Sequence, residues 1–219
     1  MKKRAVYVCL EGTEGVGKTT QTQKLVDYLR SKGFKVLQTK EPGTTLAPLT
    51  MILRGIMLDK QYDEQLSAPA RELISQAIRS IHLEKVVYPA FSEYDYIIQD
   101  RGILSGYAYG TACGNDFTTI KGLSEYVVGA EYRHDVGALY DSIIYLKGDT
   151  SSGHKRAQQA KQEFKAGDAM EARGTSFLQT TSSNMDEMSK AFNTTTIRVG
   201  GKNIEEVFQD ILRALNLGE

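Results

Sequence analysis

A glycine-rich segment near the start of the chain has the residue types that bind the phosphates of a nucleotide. The sequence GTEGVGKTT begins at Gly12 and matches the pattern G-x-x-x-x-G-K-[ST]. Glycines let backbone N–H groups converge on phosphate oxygens, and a helix N-terminus directly after them adds positive potential. Lys18 would reach the β- and γ-phosphates of ATP, and the Thr19 hydroxyl would bind Mg²⁺. The segment therefore predicts an ATP site formed by Gly12, Thr13, Glu14, Gly15, Val16, Gly17, Lys18, Thr19 and Thr20.

A second candidate is Asp100, which follows the apolar run of residues 94–98. A carboxylate at the end of a buried strand is costly unless it meets a cation or a metal ion. We therefore expect Asp100 to approach the Mg²⁺ ion, directly or through water, as the second metal-binding residue beside Thr19.

Alternating strand-like and helical patterns must position these residues. Short apolar runs bounded by turn residues predict strands at 5–10, 35–39, 94–98, 142–146 and 195–199. Helical periodicity predicts helices at 19–31, 70–87 and 204–215. In the second helix the residues expected to face the core are Leu73, Ile74, Ala77, Ile78, Ile81 and Val86. The alternation predicts an α/β fold, a mostly parallel five-stranded sheet with helices on both faces, whose ligands bind beyond the carboxyl ends of the strands.

Composition limits the class of protein. The chain has 219 residues, enough for one domain, and its 27 basic and 27 acidic residues give no bulk affinity for nucleic acid or membranes. Its two cysteines are too few for a disulfide framework, and Cys9 lies in an apolar run that is expected to be buried. No signal peptide or membrane span is recognised. We therefore expect a single cytoplasmic domain, residues 1–219, whose partners are small molecules.

The segment GTEGVGKTTQ resembles the start of bacterial thymidylate kinases, which carry an acidic residue where Glu14 stands. The resemblance continues in chain order over most of the chain. It implies a P-loop kinase fold, ATP and Mg²⁺ as cofactors, a deoxynucleoside monophosphate as acceptor, and a homodimer. In the branch with that acidic residue the catalytic arginines come from a mobile lid, and the polar segment 151–174 is expected to be the lid here.

Four further matches imply where the acceptor binds. TKEPGTT, residues 39–45, is similar to the family's T-R-E-P-G-G-T turn, and Arg54 in ILRGIML resembles the arginine that grips the monophosphate. Arg79 in AIRSIH resembles the arginine that hydrogen-bonds the acceptor base, whereas the neighbouring His82 is expected to be structural. Residues 100–109 resemble D-R-Y-x-x-S-x-x-A-Y, in which Arg101 would bridge the donor and acceptor phosphates, unless it only forms an ion pair with Asp100. The implied acceptor site is Glu41, Pro42, Arg54, Arg79, Arg101, Ser105 and Tyr109.

Among the departures from the family pattern, three bear directly on the acceptor site and the lid. Ser75 replaces the phenylalanine that stacks on thymine, so either another ring substitutes or the acceptor base differs. Gly102 replaces the tyrosine after Arg101. Ala169 replaces the lid arginine of the pattern D-R-[IF]-E, and Arg173 is the first candidate to supply the missing charge, followed by Lys161 and Lys165.

The expected reaction is ATP + dNMP → ADP + dNDP, with dTMP as the leading acceptor. The catalytic residues are expected to be Lys18, Asp100, Arg101 and Arg173, which would act by positioning and electrostatics under a closing lid. Three alternatives remain open: a kinase for several deoxynucleotides or for a modified base, a deoxynucleoside kinase, and a nucleotide-dependent switch without transferase chemistry.

Overall fold

The structure, a computed structural model, describes residues 4–130, 135–148, 168–192 and 194–218. Most of the expected lid, including Lys161 and Lys165, lies outside the described residues. In chain order the elements are β1 (Val6–Gly12), α1 (Lys18–Ser31), β2 (Val36–Lys40), α2 (Pro48–Leu58), α3 (Ala68–His82), α4 (Tyr88–Glu93), β3 (Tyr96–Asp100), α5 (Ile103–Ala112), α6 (Phe117–Val127), β4 (Ser142–Lys147), α7 (Ala169–Ala172), α8 (Gly174–Ala191), β5 (Thr195–Arg198) and α9 (Ile204–Ala214). A π-helical turn, Leu83–Val87, joins α3 to α4, and short 3-10 turns lie at Lys60–Tyr62 and Val136–Leu139.

The strands form one sheet in the order β2-β3-β1-β4-β5, and every neighbouring pair is parallel. The carboxyl ends of all five strands therefore lie at one edge. Two backbone hydrogen bonds extend the ladder past the strand ends: Arg101 N donates to Leu10 O at 2.9 Å, and Glu41 N donates to Asp100 O at 3.1 Å. The predicted α/β fold is confirmed, and β1 and β3 bring the glycine-rich segment 12–20, the phosphate loop, next to Asp100.

Side-chain alternation along β1 divides the core between the two faces of the sheet. Tyr7 and Cys9 pack into one cluster with residues of α5 and the π-helical turn, whereas Val8 and Leu10 pack into another with α1 and α9. All four of these β1 residues are at most 1% exposed, and the expected burial of Cys9 is confirmed. A strand that is apolar on both faces is typical of a central parallel strand covered by helices.

Helix α3 is rotated relative to the expectation from its sequence. Leu73 is 57% exposed and Ala77 is also exposed, so the prediction that both face the core was wrong. The buried residues of this helix are Arg71, Glu72, Gln76, Ile78, Arg79 and His82, most of them polar. A polar face can be buried when partners satisfy it, and the partners are on the elements that form the site described next.

Candidate active site

The glycine-rich segment forms the turn between β1 and α1. Gly12 has a φ of 149° and Gly17 a φ of 94°, values that L side chains rarely adopt. A Cβ atom at Gly12 would also lie 2.5 Å from the carbonyl oxygen of Leu146 on β4. Helix α1 begins directly after Gly17, at Lys18, so its first N–H groups, which have no partner within the helix, adjoin this turn. The turn thus has the geometry of an anion site at a helix N-terminus.

Lys18 is buried beside this turn. Its Nζ atom donates to the carbonyl oxygen of Thr13 at 2.5 Å, which directs the ammonium group across the loop. Burial, and then the positive charge of Arg101, lower the pKa of Lys18 to about 7. An anion beside the ammonium group would offset both effects, since each one penalises an uncompensated positive charge.

Thr19 and Asp100 meet at the carboxyl ends of β1 and β3. Thr19 Oγ1 donates to Asp100 Oδ2 at 2.8 Å. The other carboxylate oxygen, Oδ1, is buried and has no hydrogen-bond partner in the described part of the chain. One hydroxyl and one carboxylate fit Mg²⁺, which binds few protein oxygens and takes its remaining ligands from water and phosphate. No cluster of three metal-binding side chains exists among the described residues, and Mg²⁺ held with substrate phosphates requires none.

Arg101 occupies the position between the phosphate loop and α5. Its φ is 64°, a left-handed conformation that costs a non-glycine residue roughly 1 kcal/mol or more. Nη1 donates to the carbonyl oxygen of Gly12 at 3.1 Å and to Ser105 Oγ at 3.2 Å, and the guanidinium lies over the Tyr109 ring at 5.6 Å. These contacts, together with the backbone bond to β1, hold this strained residue in place.

Glu11, which none of the sequence patterns predicts as functional, fixes the turn that follows Arg101. Its carboxylate, which is 0% exposed, accepts hydrogen bonds from Gly102 N at 2.8 Å, Ser105 N at 3.2 Å and Ser105 Oγ at 2.5 Å. Burial raises the pKa of Glu11, although the two hydrogen bonds from Ser105 and the charges of Arg101 and Lys18 counteract the effect. The available signal was an acidic residue at the end of an apolar strand, the same signal that identified Asp100.

Glu41, Arg79 and His82 form a buried ionic group beside the cavity. Arg79 donates to Glu41 Oε2 from Nε at 3.1 Å and from Nη2 at 2.9 Å, and His82 Nδ1 lies 3.1 Å from Glu41 Oε1. Burial alone would raise the pKa of Glu41, but Arg79 and the hydrogen bond from His82 outweigh it and hold the pKa at about 2. His82 Nε2 also contacts Thr39 Oγ1 at 2.9 Å, so the ring lies behind Glu41. The group orients Arg79. Its Nη1 atom is buried and has no hydrogen-bond partner among the described residues.

A cavity of about 950 Å³, including the part open to solvent, lies between α2, α3 and α5. Arg54 borders it, with Nη1 donating to the carbonyl oxygen of Pro42 at 2.7 Å. Burial lowers the pKa of Arg54; the charge of Asp168 opposes this and that of Arg101 adds to it. Arg54 and Arg101 both line the cavity. Every residue of the expected acceptor site lines this cavity: Glu41, Pro42, Arg54, Arg79, Arg101, Ser105 and Tyr109. The structure therefore brings a phosphate loop and a cationic cavity together at Arg101.

Comparison with known proteins identifies the family. The family described as Thymidylate kinase matches residues 10–211. The chain is 34% identical to the thymidylate kinase of Nitrosospira multiformis over 160 residues, which cover 73% of each protein. It is 31% identical to that of Vibrio vulnificus over 217 residues, 98% of this chain and 96% of the relative.

The chain belongs to the thymidylate kinase family. It is accordingly a nucleoside monophosphate kinase, a phosphotransferase. The fold agrees with the crystal structure of thymidylate kinase from Ehrlichia chaffeensis, with a TM-score of 0.69 over 97% of this chain and 99% of that one at 21% identity. Within the described residues, no helix is long and apolar enough to cross a membrane.

Two departures from the thymidylate kinase pattern have a visible structural setting. Ser75 lines the cavity, and among the described residues that line it with Ser75 the aromatic one is Tyr109 on α5. Gly102 is required by packing, because a Cβ atom there would lie 2.9 Å from each of Cys9 Sγ, Gln99 Nε2 and Tyr140 Oη. The Tyr140 hydroxyl thus occupies space that any larger residue at position 102 would need.

Arg173, the candidate lid cation, lies at the start of α8. Its Nη2 donates to Asp63 Oδ1 at 3.0 Å, and its guanidinium lies 5.5 Å from the Phe177 ring. The same Asp63 oxygen accepts a hydrogen bond from Arg71 at 2.7 Å. In this conformation Arg173 therefore pairs with the segment between α2 and α3, and among the described residues no hydrogen bond or ion pair joins it to the phosphate loop. Asp168, from the altered lid pattern, does line the cavity.

Proposed function

We propose that this chain transfers the γ-phosphoryl group of ATP to the phosphate of dTMP, giving ADP and dTDP. The observation that carries the proposal is the position of Arg101, which contacts both the phosphate loop at Gly12 and the acceptor cavity at Ser105. A single guanidinium at the junction of two phosphate sites is suited to binding oxygens of both nucleotides. The named relatives favour dTMP over a broader range of acceptors or a modified base.

The phosphate loop would hold ATP through its backbone N–H groups and Lys18. Thr19 and Asp100 would hold Mg²⁺, which supplies positive charge to the β- and γ-phosphates when bound. Asp100 Oδ1 supports this assignment, since it is buried without a hydrogen-bond partner in the described part of the chain and a cation would satisfy it. The protein residues act by binding and orienting, because phosphoryl transfer needs position and charge rather than covalent chemistry.

The acceptor would lie in the cavity with its phosphate toward Arg54 and Arg101. Both guanidinium groups are fixed before binding, by Pro42 O and Gly12 O respectively, so little side-chain freedom is lost when a phosphate arrives. Arg79 would bind the base from the other end of the cavity, with Glu41 holding its guanidinium in place. Excluding water from this space favours transfer to dTMP over hydrolysis of ATP.

A lid formed by residues 151–174 would close the site, with Arg173 as the first candidate for its catalytic cation. To act there, Arg173 would have to exchange its ion pair with Asp63 for the transferring phosphoryl group. Such an exchange is inexpensive, since exposed ion pairs contribute only about 0–1 kcal/mol.

We also propose that residues 1–219 form one kinase domain that works in the cytoplasm as a homodimer. An exposed apolar stripe on α2 supports the dimer: Leu49, Ile52 and Ile56 follow helical spacing and are 54%, 62% and 39% exposed. Leu73 on the adjoining α3 is also an exposed apolar side chain. Light scattering should give twice the chain mass for the wild type and the chain mass for Ile52→Glu; a monomeric wild type would contradict the proposal.

The activity is tested by coupled ADP release with ATP and Mg²⁺, offering dTMP, dUMP, dCMP, dGMP, dAMP and thymidine in turn. We expect turnover with dTMP well above that with the other nucleotides, and none with thymidine, which lacks the phosphate that Arg54 and Arg101 would bind. Lys18→Met, which removes the loop cation, should abolish turnover. ATP binding without transfer to any monophosphate would contradict the proposed function.

A further inference from the structure

Glu72 is a buried carboxylate in the wall of the cavity, on the same helix as Arg79 and two turns before it. Both residues are 3% exposed and both line the cavity. Seven residues on an α-helix complete nearly two turns, so the two side chains project from the same face of α3. Neither the phosphate loop nor the expected acceptor site accounts for Glu72.

Two glycines on the facing helix make room for these two charged groups. A Cβ atom at Gly110 would lie 2.6 Å from Glu72 Oε2, and one at Gly106 would lie 2.6 Å from Arg79 Nη2. Gly106 and Gly110 are four residues apart on α5, so they also share one face. Helix α5 thus has a matching gap for each charged side chain, and any larger residue at either position would displace it.

Only one of the two carboxylate oxygens of Glu72 accepts a hydrogen bond among the described residues. Oε1 accepts from Gln76 Nε2 at 2.8 Å, whereas Oε2 accepts no hydrogen bond from the described residues. Burial raises the pKa of Glu72, and the Gln76 hydrogen bond and the charge of Arg79 counteract this. A buried carboxylate with one unused oxygen gains most from a ligand that offers an N–H donor.

Arg79 Nη1 is buried without a hydrogen-bond partner among the described residues, and the free carboxylate oxygen of Glu72 belongs to a side chain that lines the same cavity. Thymine presents the complementary pair, a carbonyl oxygen next to the N3–H group. Cytosine in the same orientation would present an amino group to Arg79 and an unprotonated nitrogen to Glu72. A donor would then face a donor at Arg79, and an acceptor would face an acceptor at Glu72. Buried polar groups that are left unpaired in this way cause strong rejection of the wrong base.

We propose that Glu72 binds the N3–H group of the acceptor base and is the residue by which this enzyme selects thymine over cytosine. The inference rests on the proposed dTMP kinase activity and adds a specificity residue to it. It also accounts for Ser75, which lies between Glu72 and Arg79 on α3 and is small enough to leave both side chains open to the base. Hydrogen bonds from α3 would then discriminate thymine from cytosine, since Ser75 has no ring that could stack on the base.

The test compares the wild type with Glu72→Leu and Glu72→Gln in steady-state kinetics at saturating ATP. Leucine fills a similar space with an apolar side chain that has no hydrogen-bond acceptor. The amide oxygen of glutamine can still accept a hydrogen bond from N3–H. We expect Glu72→Leu to raise the KM for dTMP about 30-fold and to reduce the preference for dTMP over dCMP by a similar factor, with kcat little changed. Glu72→Gln should keep both the KM for dTMP and the preference for dTMP over dCMP close to the wild-type values.

An inhibitor that lacks the N–H group separates recognition from packing. The wild type should bind 3-methyl-dTMP, measured as a competitive inhibitor, much more weakly than dTMP, and this gap should narrow in Glu72→Leu. The inference would be overturned if the affinity difference between dTMP and 3-methyl-dTMP were the same in the wild type and in Glu72→Leu. It would also be overturned if Glu72→Leu left the KM for dTMP and the dTMP preference unchanged.

Stability must be checked in parallel by thermal unfolding. If Glu72→Leu does not fold, Glu72→Asp serves in its place, because it keeps the charge and shortens the side chain by one methylene group. It should raise the KM for dTMP and lower the preference over dCMP, and failure to change either would overturn the inference. A wild type that does not phosphorylate dTMP would remove the proposed function itself, whereas normal selectivity in the variants would remove only the role of Glu72.

Discussion

Arg101 Nη1 lies 3.1 Å from the carbonyl oxygen of Gly12, so one side chain of the β3–α5 turn contacts the phosphate loop directly. The contact places a cation where donor and acceptor phosphates would meet. Arg101 keeps this position in a left-handed conformation, at φ 64°, because β1 and Ser105 hold it. Strain of this kind is found where a residue is needed at one particular point.

Replacing Arg101 should therefore reduce the chemical step more than binding. Removing one preorganised charge from such a site costs about 100- to 1,000-fold in kcat, so we expect this loss for Arg101→Ala. Arg101→Lys should recover little, because an ammonium group cannot bind two phosphates as a planar fork does. The matched control is Arg213→Lys on α9, whose side chain is 69% exposed and pairs with Asp210. Full activity of Arg101→Ala would contradict the proposed mechanism.

The ionic group around Glu41 predicts a pH-dependent stability. The pKa of Glu41 is about 2 in the folded protein against an ordinary value of 4.5, so the folded state binds this proton less readily than the unfolded state. The resulting stabilisation is present above about pH 4.5 and is lost as the pH falls toward 2. Glu41→Gln should lower the free energy of unfolding at pH 7 by about 3 kcal/mol, because Arg79 would remain buried without its counter-charge.

Urea unfolding at pH 7 and pH 4 measures this effect. The difference in the free energy of unfolding between wild type and Glu41→Gln should shrink at the lower pH. Glu205→Gln is the control, since Glu205 pairs with Lys24 at the surface and should change stability little at either pH. Equal stability of wild type and Glu41→Gln at pH 7 would show that Arg79 finds other partners.

Gly106 should be required for binding of the acceptor rather than for folding. A Cβ atom at this position would lie 2.6 Å from Arg79 Nη2 and 3.2 Å from Nη1, so the guanidinium would have to move away from its place in the cavity wall. We expect Gly106→Ala to raise the KM for dTMP roughly tenfold, with a much smaller change in the KM for ATP. Steady-state kinetics with each substrate varied in turn checks this.

Gly122 on α6 provides the matched control for Gly106. A Cβ atom there would meet nothing within 4 Å, and the position is exposed. Gly122→Ala should leave both KM values unchanged and raise the free energy of unfolding by up to about 1 kcal/mol, as expected for alanine in an exposed helix. If Gly106→Ala behaved in the same way, Arg79 would not be in contact with the acceptor.

The sheet and its active edge were predictable because local signals agreed with the fold. The apolar runs, the glycine turn and the charge at position 100 all point to the same edge of a parallel sheet. The orientation of α3 was not predictable from periodicity, which assigns Leu73 and Ala77 to the core because they are apolar. Tertiary structure reverses this, since Glu41 on another segment satisfies Arg79 and an α5 glycine makes room for Glu72. Glu41 lies 38 residues before Arg79, and the glycine beside Glu72 belongs to another helix. Patterns in a single sequence do not reveal such distant partners.

The same limit applies to Arg173, whose ion-pair partner Asp63 lies 110 residues earlier. If Arg173 is the cation that a closing lid brings to the phosphates, Arg173→Ala should lower kcat about 100-fold and leave the KM for dTMP nearly unchanged. Asp63→Asn should not reproduce this loss, because it removes only the partner that Arg173 would leave. Parallel alanine variants of Lys161 and Lys165 identify the catalytic cation among the lid candidates. A normal kcat for Arg173→Ala together with a large loss in either lysine variant would transfer the role to that lysine.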